Sequence, residues 1–353
     1  LLGPGVVVNI HAFINEYNDL TKNGILKLSD RMFIANSCHV TTLMHILMDM
    51  VSNGHLGTTC QGIGPTYAGK ADRSGILMHR ICHYSIDEAM DNINSIYELY
   101  KNDKRISTYF DGTNKFKILR ITNTGEKVYL YLNSFEEMLK LERENIETFR
   151  SLIPSDHIVD ANSFIARYIL EKRNIVLEGA NSGMLDNTYG TYKCVTGSNC
   201  LESGSLYGSG IPANFEPKIK SCGVTKGYIT RVGTGKLPTE FDPTDAVGKN
   251  IQSAGREYGA TTGRLRRVGW LDLFQIMYFL NINPVSCFNI TKLDTMSCIN
   301  CKIKVCIGYE IDGKRLEVYP ADEGELCKVK PIYCEFDNWY GFDFSKCKTW
   351  DDL

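Results

Sequence analysis

Short apolar segments that alternate with helix-like segments are the feature that most restricts how this chain can fold. Within the first 50 residues the pattern predicts strands over Val6–Asn9 and near Met32–Ile34, and helices around His11–Leu20 and over Val40–Met50. Alternation of this kind is typical of a sheet that is covered by helices. The sequence therefore predicts an α/β fold.

Residues 84–173 form a second region, which reads as mainly helical scaffold. Its predicted elements are a helix with Ile86, Met90, Ile93 and Tyr97 on one face, a hairpin of Phe116–Ile118 and Val128–Leu130, a helix opened by the capping box Ser134–Glu137, and a helix over Ala161–Lys172. None of these segments carries a chemical motif. We expect the region to support a site that other residues form.

Charge and cysteine content limit the class of protein. With 39 Lys and Arg against 41 Asp and Glu, the net charge of -2 gives no general reason to expect nucleic acid or an anionic membrane as a partner. No apolar run approaches a membrane span, and no signal peptide is recognisable. The thirteen cysteines are odd in number, and the one CxxC, Cys298–Cys301, has no second pair for zinc. These features predict free thiols and a cytoplasmic protein.

A glycine-rich segment over residues 57–76 is the first candidate ligand loop. It offers the Thr58 and Thr59 hydroxyls and Arg73, and its alternative interpretation is a surface loop. Gly64–Lys70 nearly spells a phosphate-binding P-loop, but Ala71 occupies the position that requires Ser or Thr. No apolar strand precedes it. We therefore reject the P-loop interpretation and expect an irregular, ordered loop.

A second candidate loop follows residues 175–177, which we predict to be a short buried strand. Ligands of open α/β sheets bind beyond the carboxyl ends of strands. Asn181, Thr196 and Ser198 are suited to hydrogen-bonding a base or a ribose, whereas Asp186 is expected to be structural.

The segment Gly259–Trp270 carries Thr261 and Thr262 together with three arginines, ahead of a helix predicted over Leu271–Leu280. Arginine forks match the oxygens of carboxylates and phosphates. The segment is therefore either a loop that binds a small anion or a solvated polar turn. Further along, a strand over Cys287–Ile290 ends in Thr291–Asp294, whose Lys-Leu-Asp is similar to the guanine reader of GTP-binding proteins.

Taken together and in this order, these loops resemble the adenylosuccinate synthetase family, and the residues around Tyr67–Arg73 and Asn181 resemble its eukaryotic branch. The matching segments are residues 57–59 with 62–65, 178–180 with 190–192, 230–233 with 238–240, 259–270 and 291–294. The resemblance covers essentially the whole chain. It implies one domain over residues 1–353, with a large, mostly parallel central sheet flanked by helices, small antiparallel hairpin additions, and kinship to P-loop NTPases.

The resemblance also implies a reaction. The family joins IMP to L-aspartate at the expense of GTP, with Mg²⁺, and yields adenylosuccinate, GDP and phosphate on the route to AMP. Phosphorylation of the purine 6-oxygen makes a good leaving group, and phosphoryl transfer needs mainly positioning and charge neutralisation. The expected partners are these three substrates and a second subunit.

Site residues follow from the resemblance, position by position. It implies IMP contacts at Thr59, Arg73, Asn181, Thr196, Val232 and Arg264, aspartate contacts at Thr261, Thr262, Arg264 and Arg266, and GTP contacts at Arg266, Lys292, Leu293 and Asp294. Arg73 resembles the arginine that reaches the IMP phosphate of the neighbouring subunit, which implies a homodimer. Gln61 stands where the family usually has a basic residue, Lys193 replaces a usual proline, and Leu265 occupies a variable position.

The family's catalytic aspartate and histidine, and the phosphate loop that helps to hold Mg²⁺, have no counterpart between Leu1 and Leu353. We therefore expect no catalytic or metal-binding residue in this sequence, interpret it as incomplete at both ends, and predict that the chain alone forms no adenylosuccinate. The alternative is a non-catalytic nucleotide-binding homologue that has lost the catalytic N-terminal loop.

Overall fold

The computed structural model describes residues 1–53, 57–110, 115–121, 127–212, 219–259, 263–347 and 349. These residues form twelve α-helices and thirteen β-strands, which confirms the α/β class. Their contacts define two compact units, unit 1 (Leu1–Ala180 with Thr196–Phe215) and unit 2 (Asn181–Val195 with Glu216–Leu353). The expectation of one domain stays a prediction. None of the helices that the structure describes has the length and hydrophobicity that a membrane span needs.

Unit 1 consists mainly of helices with small strand pairs between them. Its elements are β1 (Val7–Asn9), α1 (Ile10–Lys22), β2 (Ile34–Ala35), β3 (His39–Thr41), α2 (Leu43–Asn53), α3 (Ile63–Asp72), α4 (Met78–Cys82), α5 (Ile86–Tyr100), α6 (Lys104–Phe110), β4 (Phe116–Ile121), β5 (Lys127–Leu132), α7 (Phe135–Leu152), β6 (Ile158–Val159), α8 (Ala161–Leu170) and α9 (Glu202–Ser209). β1 pairs with β3 and β2 with β6 in parallel, while β4 and β5 form the predicted antiparallel hairpin.

Local signals that were visible in the sequence place several of these helices. The Asn9 side chain accepts a hydrogen bond from Ala12 N at 3.0 Å and begins α1. The Ser134 hydroxyl accepts one from Glu137 N at 3.3 Å and begins α7. The apolar faces of α2, α5 and α7 meet in one core, in which Phe149 and Tyr97 are fully buried. Helices α5, α7 and α8 begin close to the residues at which the sequence predicts helices.

Two boundaries predicted in unit 1 are wrong. Val40 and Thr41 belong to β3, and the helix begins only at Leu43. Residues 63–72 are helix α3 and not irregular loop. The helix follows Gly62, whose φ of 75° is left-handed, and a Cβ there would meet the His45 and Ile46 backbone at 2.9 Å. Pro65 falls in the first turn of α3, where a helix tolerates proline.

The strand predicted over residues 175–177 is also wrong. These residues have no regular secondary structure, and the Val176 side chain is 91% exposed. A strand exists only where a neighbour supplies its ladder hydrogen bonds. None of the strands in the described part of the chain pairs with this segment, so its apolar residues do not form one.

Unit 2 holds the largest sheet among the described residues. Its elements are β7 (Cys222–Lys226), β8 (Tyr228–Arg231), α10 (Ala246–Ala254), β9 (Arg267–Asp272), α11 (Leu273–Ile282), β10 (Cys287–Thr291), β11 (Ile303–Ile311), β12 (Lys314–Arg315), α12 (Glu323–Leu326) and β13 (Lys330–Phe336). The sheet runs β12-β11-β9-β8, with β13 also on β11, while β7 and β10 form a separate parallel pair. Altogether the described strands are distributed over five sheets, of which this is the largest.

The arginine-rich segment leads into β9 before the following helix begins. The helix predicted from Leu271 starts at Leu273, because the Asp272 carboxylate accepts a hydrogen bond from Gln275 N at 3.0 Å. Val268 and Trp270 of β9 pack with Tyr228 and Ile251 in a core of their own. This core fixes the strand onto which the arginine loop is built.

Candidate functional site

A buried carboxylate in unit 1 holds the Thr58–Gly62 loop. The Thr58 hydroxyl donates to Asp49 Oδ1 and Oδ2 at 3.2 and 3.1 Å, and Gly62 N donates to Asp49 Oδ2 at 3.1 Å. Thr58 Oγ1 in turn accepts from Cys60 N at 3.0 Å. Thr58 therefore anchors the loop, whereas its neighbour Thr59 has an exposed side chain. The sequence pattern did not single out Asp49, because a lone carboxylate on an apolar helix carries no motif.

The other candidate residues of unit 1 lie at the two ends of α3. Arg73 follows its C-terminus with a left-handed φ of 71° and an exposed side chain. At the other end, a Cβ on Gly197 would come within 3.3 Å of Tyr67 and 3.4 Å of Gly64, so this segment lies against the first turns of α3. Thr196, the residue before Gly197, is half-buried. Unit 1 thus places Thr196 and the Thr58–Gly62 loop around the same helix N-terminus.

In unit 2 the arginine loop closes on a short hairpin neck. Tyr258 and Leu265 form an antiparallel bridge, Gly259 N donates to Arg264 O at 2.7 Å, and Gly263 N donates to Gly259 O at 2.7 Å. Arg264 at the neck has an exposed side chain. Thr261 and Thr262, for which aspartate contacts are predicted, lie outside the described residues.

The carboxylate of Glu257, only 1% exposed, is the centre of a charged cluster below this neck. It accepts hydrogen bonds from Lys226 Nζ at 2.7 and 2.8 Å, from Tyr228 Oη at 2.6 Å and from Arg266 Nη1 at 3.0 Å. Burial by itself would raise the pKa of Glu257, but its bonds with Lys226, Tyr228 and Arg266 outweigh that effect and lower the pKa. Burial lowers the pKa of Lys226, which its bond to Glu257 only partly offsets.

The cluster fixes Arg266 twice. Its guanidinium pairs with the Glu257 side chain, and its backbone N donates to Glu257 O at 2.8 Å. Gln252 Nε2 also donates to Arg266 O at 2.9 Å. Reasoning from the sequence missed Glu257 entirely, because no spacing distinguishes a buried glutamate from a surface one.

Arg267, the third arginine of the segment, has a structural role. Its guanidinium pairs with Glu240 and donates to the carbonyls of Gly233 and Gly235 at 2.8 and 2.7 Å. These bonds hold the loop that follows β8 against β9. Val232, at the start of that loop, is 37% exposed. Asn181, also in unit 2, is exposed and has a left-handed φ of 67°.

The Lys292–Asp294 motif lies directly after β10. Lys292 has a left-handed φ of 62°, and its Nζ donates to Gly255 O at 3.1 Å. Leu293 and Asp294 have exposed side chains, and Leu293 O accepts from Trp339 Nε1 at 3.0 Å. The Gly255–Glu257 segment therefore binds both Lys292 and Arg266, two residues expected to contact GTP.

A cavity of about 240 Å³ opens beside the same arginines. Glu240, Lys249, Gln252, Leu265, Arg266 and Arg267 contribute to its lining. This volume is below the roughly 300–1,000 Å³ of pockets that hold drug-sized ligands.

A metal site needs several oxygen, nitrogen or sulfur ligands on neighbouring side chains. No group of three or more His, Cys, Asp or Glu residues among them could hold an ion. Mg²⁺ prefers several carboxylate, phosphate or water oxygens in an octahedron. The described residues therefore offer no metal site of their own.

Comparison with known proteins connects these loops to one family. The sequence model of the family described as adenylosuccinate synthetase matches residues 1–353. The adenylosuccinate synthetase of Schizosaccharomyces pombe is 36% identical over 344 residues, which cover 96% of this chain and 71% of that protein. That of Mycosarcoma maydis is 35% identical over 357 residues, covering 100% of this chain and 73% of the relative.

Solved structures agree with the sequence matches. The fully ligated adenylosuccinate synthetase of Plasmodium falciparum superposes with a TM-score of 0.80 at 29% identity, over 99% of this chain and 76% of that one. The succinoaminodeoxyadenylate synthetase of cyanophage S-2L has a TM-score of 0.51 at 14% identity, over 83% of this chain and 65% of that one. The second likeness concerns the fold alone.

Proposed function

The chain belongs to the adenylosuccinate synthetase family, ligases of purine biosynthesis, and we propose that it provides the substrate-binding residues for the reaction that joins IMP to L-aspartate at the expense of GTP. The products are adenylosuccinate, GDP and phosphate. The observation that carries the proposal is the arginine neck of unit 2, where Arg264 is exposed and Arg266 is held against Glu257. Two guanidinium groups at one neck suit a ligand with two carboxylates.

The proposed reaction has two steps. The γ-phosphoryl group of GTP passes to the 6-oxygen of IMP, the purine N1 loses its proton, and GDP is released. The amine of aspartate then attacks C6, the C–O bond breaks, and phosphate departs while the amine loses a proton. The first step is needed because an amide-like oxygen is a poor leaving group. Both steps require positioning and neutralisation of negative charge.

IMP contacts are proposed for residues of each unit, whereas aspartate and GTP contacts are proposed for residues of unit 2 alone. In unit 1, Thr59, Thr196 and Arg73 are assigned to IMP. In unit 2, Asn181, Val232 and Arg264 are assigned to IMP, while Thr261, Thr262, Arg264 and Arg266 are assigned to aspartate. Arg266, Lys292, Leu293 and Asp294 are assigned to GTP. The left-handed backbone at Asn181 and Lys292 supports these assignments, because strained conformations of non-glycine residues are concentrated at functional sites.

Arg266 can serve both Glu257 and a ligand. Its guanidinium has five N–H donors, and the bond from Nη1 to Glu257 uses one of them. The remaining donors suit a carboxylate or phosphate oxygen. Glu257 therefore acts as a positioning residue, which limits the conformations open to Arg266 before substrate binds.

We also propose a cytoplasmic homodimer that uses Mg²⁺ with GTP. The exposed side chain of Arg73 supports a role at the neighbouring subunit's IMP phosphate. The expectation that this chain alone forms no adenylosuccinate stays a prediction. Chromatographic analysis of the chain with IMP, aspartate, GTP and Mg²⁺ tests it, and adenylosuccinate in the product would contradict it.

Substitution of Arg264 by leucine tests the ligand assignment without requiring turnover. Calorimetric titration should show aspartate binding, in the presence of IMP, weakened by about 30-fold or more, because one charged hydrogen-bonding partner is lost. GTP affinity should stay within about twofold, since Arg264 is assigned no contact with it. Arg315→Leu, which removes an exposed arginine of β12, should change neither affinity.

Equal loss of aspartate and GTP binding in Arg264→Leu would contradict the assignment. Failure of the unsubstituted chain to bind IMP, GTP and aspartate would contradict the proposed function itself. The non-catalytic nucleotide-binding alternative would be favoured by a different result. In that case the unsubstituted chain binds nucleotide specifically but does not bind aspartate, and Arg264→Leu leaves nucleotide binding intact.

A further inference from the structure

Two cysteines stand directly opposite each other at the start of the parallel pair β7–β10. Cys222 is the first residue of β7, Cys287 is the first of β10, and the register pairs their Cα atoms. Backbone bonds from Ser286 N and Cys287 N to Ser221 O, at 2.8 and 3.3 Å, hold the two strand starts together. Neighbouring strands lie about 4.7–4.9 Å apart, within the roughly 4.4–6.8 Å that disulfide-bonded Cα atoms span.

Both thiols face the same side of the strand pair and are reachable from solvent. Paired residues of neighbouring strands project to one face, and the two side chains are exposed. A hydrogen bond between the two thiols raises the pKa of Cys222. The two sulfurs therefore lie within reach of each other.

We propose that Cys222 and Cys287 form a reversible redox site, in which a low-molecular-weight disulfide converts the dithiol into an intramolecular disulfide. Nothing in this inference depends on the proposed ligase activity. It rests on strand register, exposure and the contact between the two thiols.

The oxidation is a pair of thiol–disulfide exchanges. The Cys287 thiolate attacks one sulfur of oxidised glutathione and forms a mixed disulfide. The S–S bond of the oxidised glutathione breaks, and one glutathione thiolate leaves. The Cys222 thiolate then attacks the mixed disulfide, forms the bond to Cys287 and releases the second glutathione. Two electrons pass from the protein dithiol to oxidised glutathione, and the two protons that the cysteines lose end on the glutathione thiols.

Burial protects other cysteines from the same reaction. It raises the pKa of Cys38, Cys82 and Cys306 to about 12. Since the thiolate is the nucleophile, these three remain unreactive thiols near neutral pH. Reactivity is thereby directed to exposed sulfurs, of which Cys222 and Cys287 already have a partner in register.

The disulfide should be easily reduced. Both of its sulfurs come from exposed side chains. Exposed or strained disulfides have the higher reduction potentials. The bond would close a loop that contains the arginine neck, and β7 and β10 lead to Lys226 and Lys292.

Peptide mapping tests the site. The purified native chain is equilibrated with oxidised glutathione, alkylated and digested with trypsin without reduction. The expected product links residues 221–226 with residues 268–292, exceeds any other cysteine pair by about tenfold because the partners are held together, and disappears on treatment with dithiothreitol. Cys222→Ser should abolish it and leave Cys287 glutathionylated.

Cys301→Ser provides the matched control, because Cys301 is an exposed cysteine of the same unit outside β7 and β10. This variant should give the same linked peptide in the same yield. Independent glutathionylation of Cys222 and Cys287 without a linked peptide would overturn the proposal. So would an equal yield of the link from the chain oxidised in concentrated guanidinium, since register would then have no role.

Discussion

Two buried glutamates, one in each unit, are held in opposite ways. Glu142 of α7 accepts hydrogen bonds from neutral donors, Leu43 N at 2.5 Å and Tyr97 Oη at 3.3 Å, and burial raises its pKa to about 7. Glu257 of unit 2 accepts from two cationic side chains and a tyrosine, and its pKa is lowered. Both side chains are 5% exposed or less, but only Glu257 has cationic partners that lower its pKa.

The comparison distinguishes a glutamate of the helical core of unit 1 from a glutamate of the candidate site in unit 2. Leu43 is the first residue of α2, whose N-terminal dipole only partly compensates for a buried carboxylate. Glu142 thus connects α7 to α2 and α5 in the unit 1 core. Near neutral pH its ionisation lowers the stability of the folded state. Glu257 instead fixes the charges of Lys226 and Arg266 beside the arginine neck, where a substrate with negative charge is proposed to bind.

Removing the Glu257 carboxylate should have the largest effect. Glu257→Ala leaves Lys226 and Arg266 without their common partner, and breaking a buried ion pair costs about 3–5 kcal/mol. Since the Lys226 and Arg266 side chains are 25% and 31% exposed, we expect a value near the lower limit. Denaturant unfolding followed by tryptophan fluorescence measures it, because the three tryptophans of the chain, Trp270, Trp339 and Trp350, all belong to unit 2.

Glu317→Ala is the control for this experiment, because Glu317 is an exposed glutamate of the same unit. Its unfolding free energy should stay within about 0.5 kcal/mol of the unsubstituted chain, as for ordinary surface substitutions. A Glu257→Ala variant as stable as the control would show that the cluster contributes no stability.

The unfolding free energy, measured over a range of pH, should depend on pH in opposite directions for the two glutamates. The folded pKa of Glu142 lies above its unfolded value, so its contribution is present below about pH 4.5 and is lost as pH rises through about 7. The full loss is roughly 3 kcal/mol at 1.36 kcal/mol per pKa unit. The folded pKa of Glu257 is lowered, so its contribution is present above its unfolded pKa and is lost as pH falls.

Glu142→Gln isolates the first effect. The amide keeps an acceptor for Leu43 N but does not titrate, so unfolding free energy measured between about pH 5 and 8 should lose the decline assigned to Glu142. An unchanged slope in this variant would mean that other groups cause the decline.

The smallest effect is expected at the surface of unit 1. Arg143 Nη2 pairs with Asp87 Oδ1 at 2.7 Å, but the two side chains are 40% and 81% exposed. Asp87→Asn should therefore change the unfolding free energy by about 0–1 kcal/mol. Thermal unfolding at low and high salt measures it, and a change as large as that of Glu257→Ala would remove the contrast between buried and exposed pairs.

Much of the fold could be predicted because its signals are local. The capping groups Ser134 and Glu137, the spacing of Ile86 to Tyr97, and the apolar segments of β8, β10 and β11 act within a few residues. The errors occurred where the outcome depends on distant partners. Residues 175–177 have the composition of a strand but no strand pairs with them, and α3 forms where a glycine-rich sequence predicted a loop.

The same difference between local signals and distant partners applies to the candidate site. Motifs predicted ligand contacts at Arg264, Arg266 and Lys292, because their residue types and order match that chemistry. Asp49, Glu257 and Arg267 were missed as functional supports, since nothing in their spacing shows which partner each one finds. Their roles come from segments that are 9 to 34 residues away in the chain.

The sequence alone determined the α/β class, the family and the types of side chain available for substrates, because these depend on composition and order. Tertiary structure decided which charges are buried together. Packing determines how much solvent and which donors surround a carboxylate. It thereby decides whether burial raises the pKa, as at Glu142, or cationic partners pair with the carboxylate, as at Glu257. The same packing places Cys222 opposite Cys287, a contact that 64 intervening residues hide from the sequence.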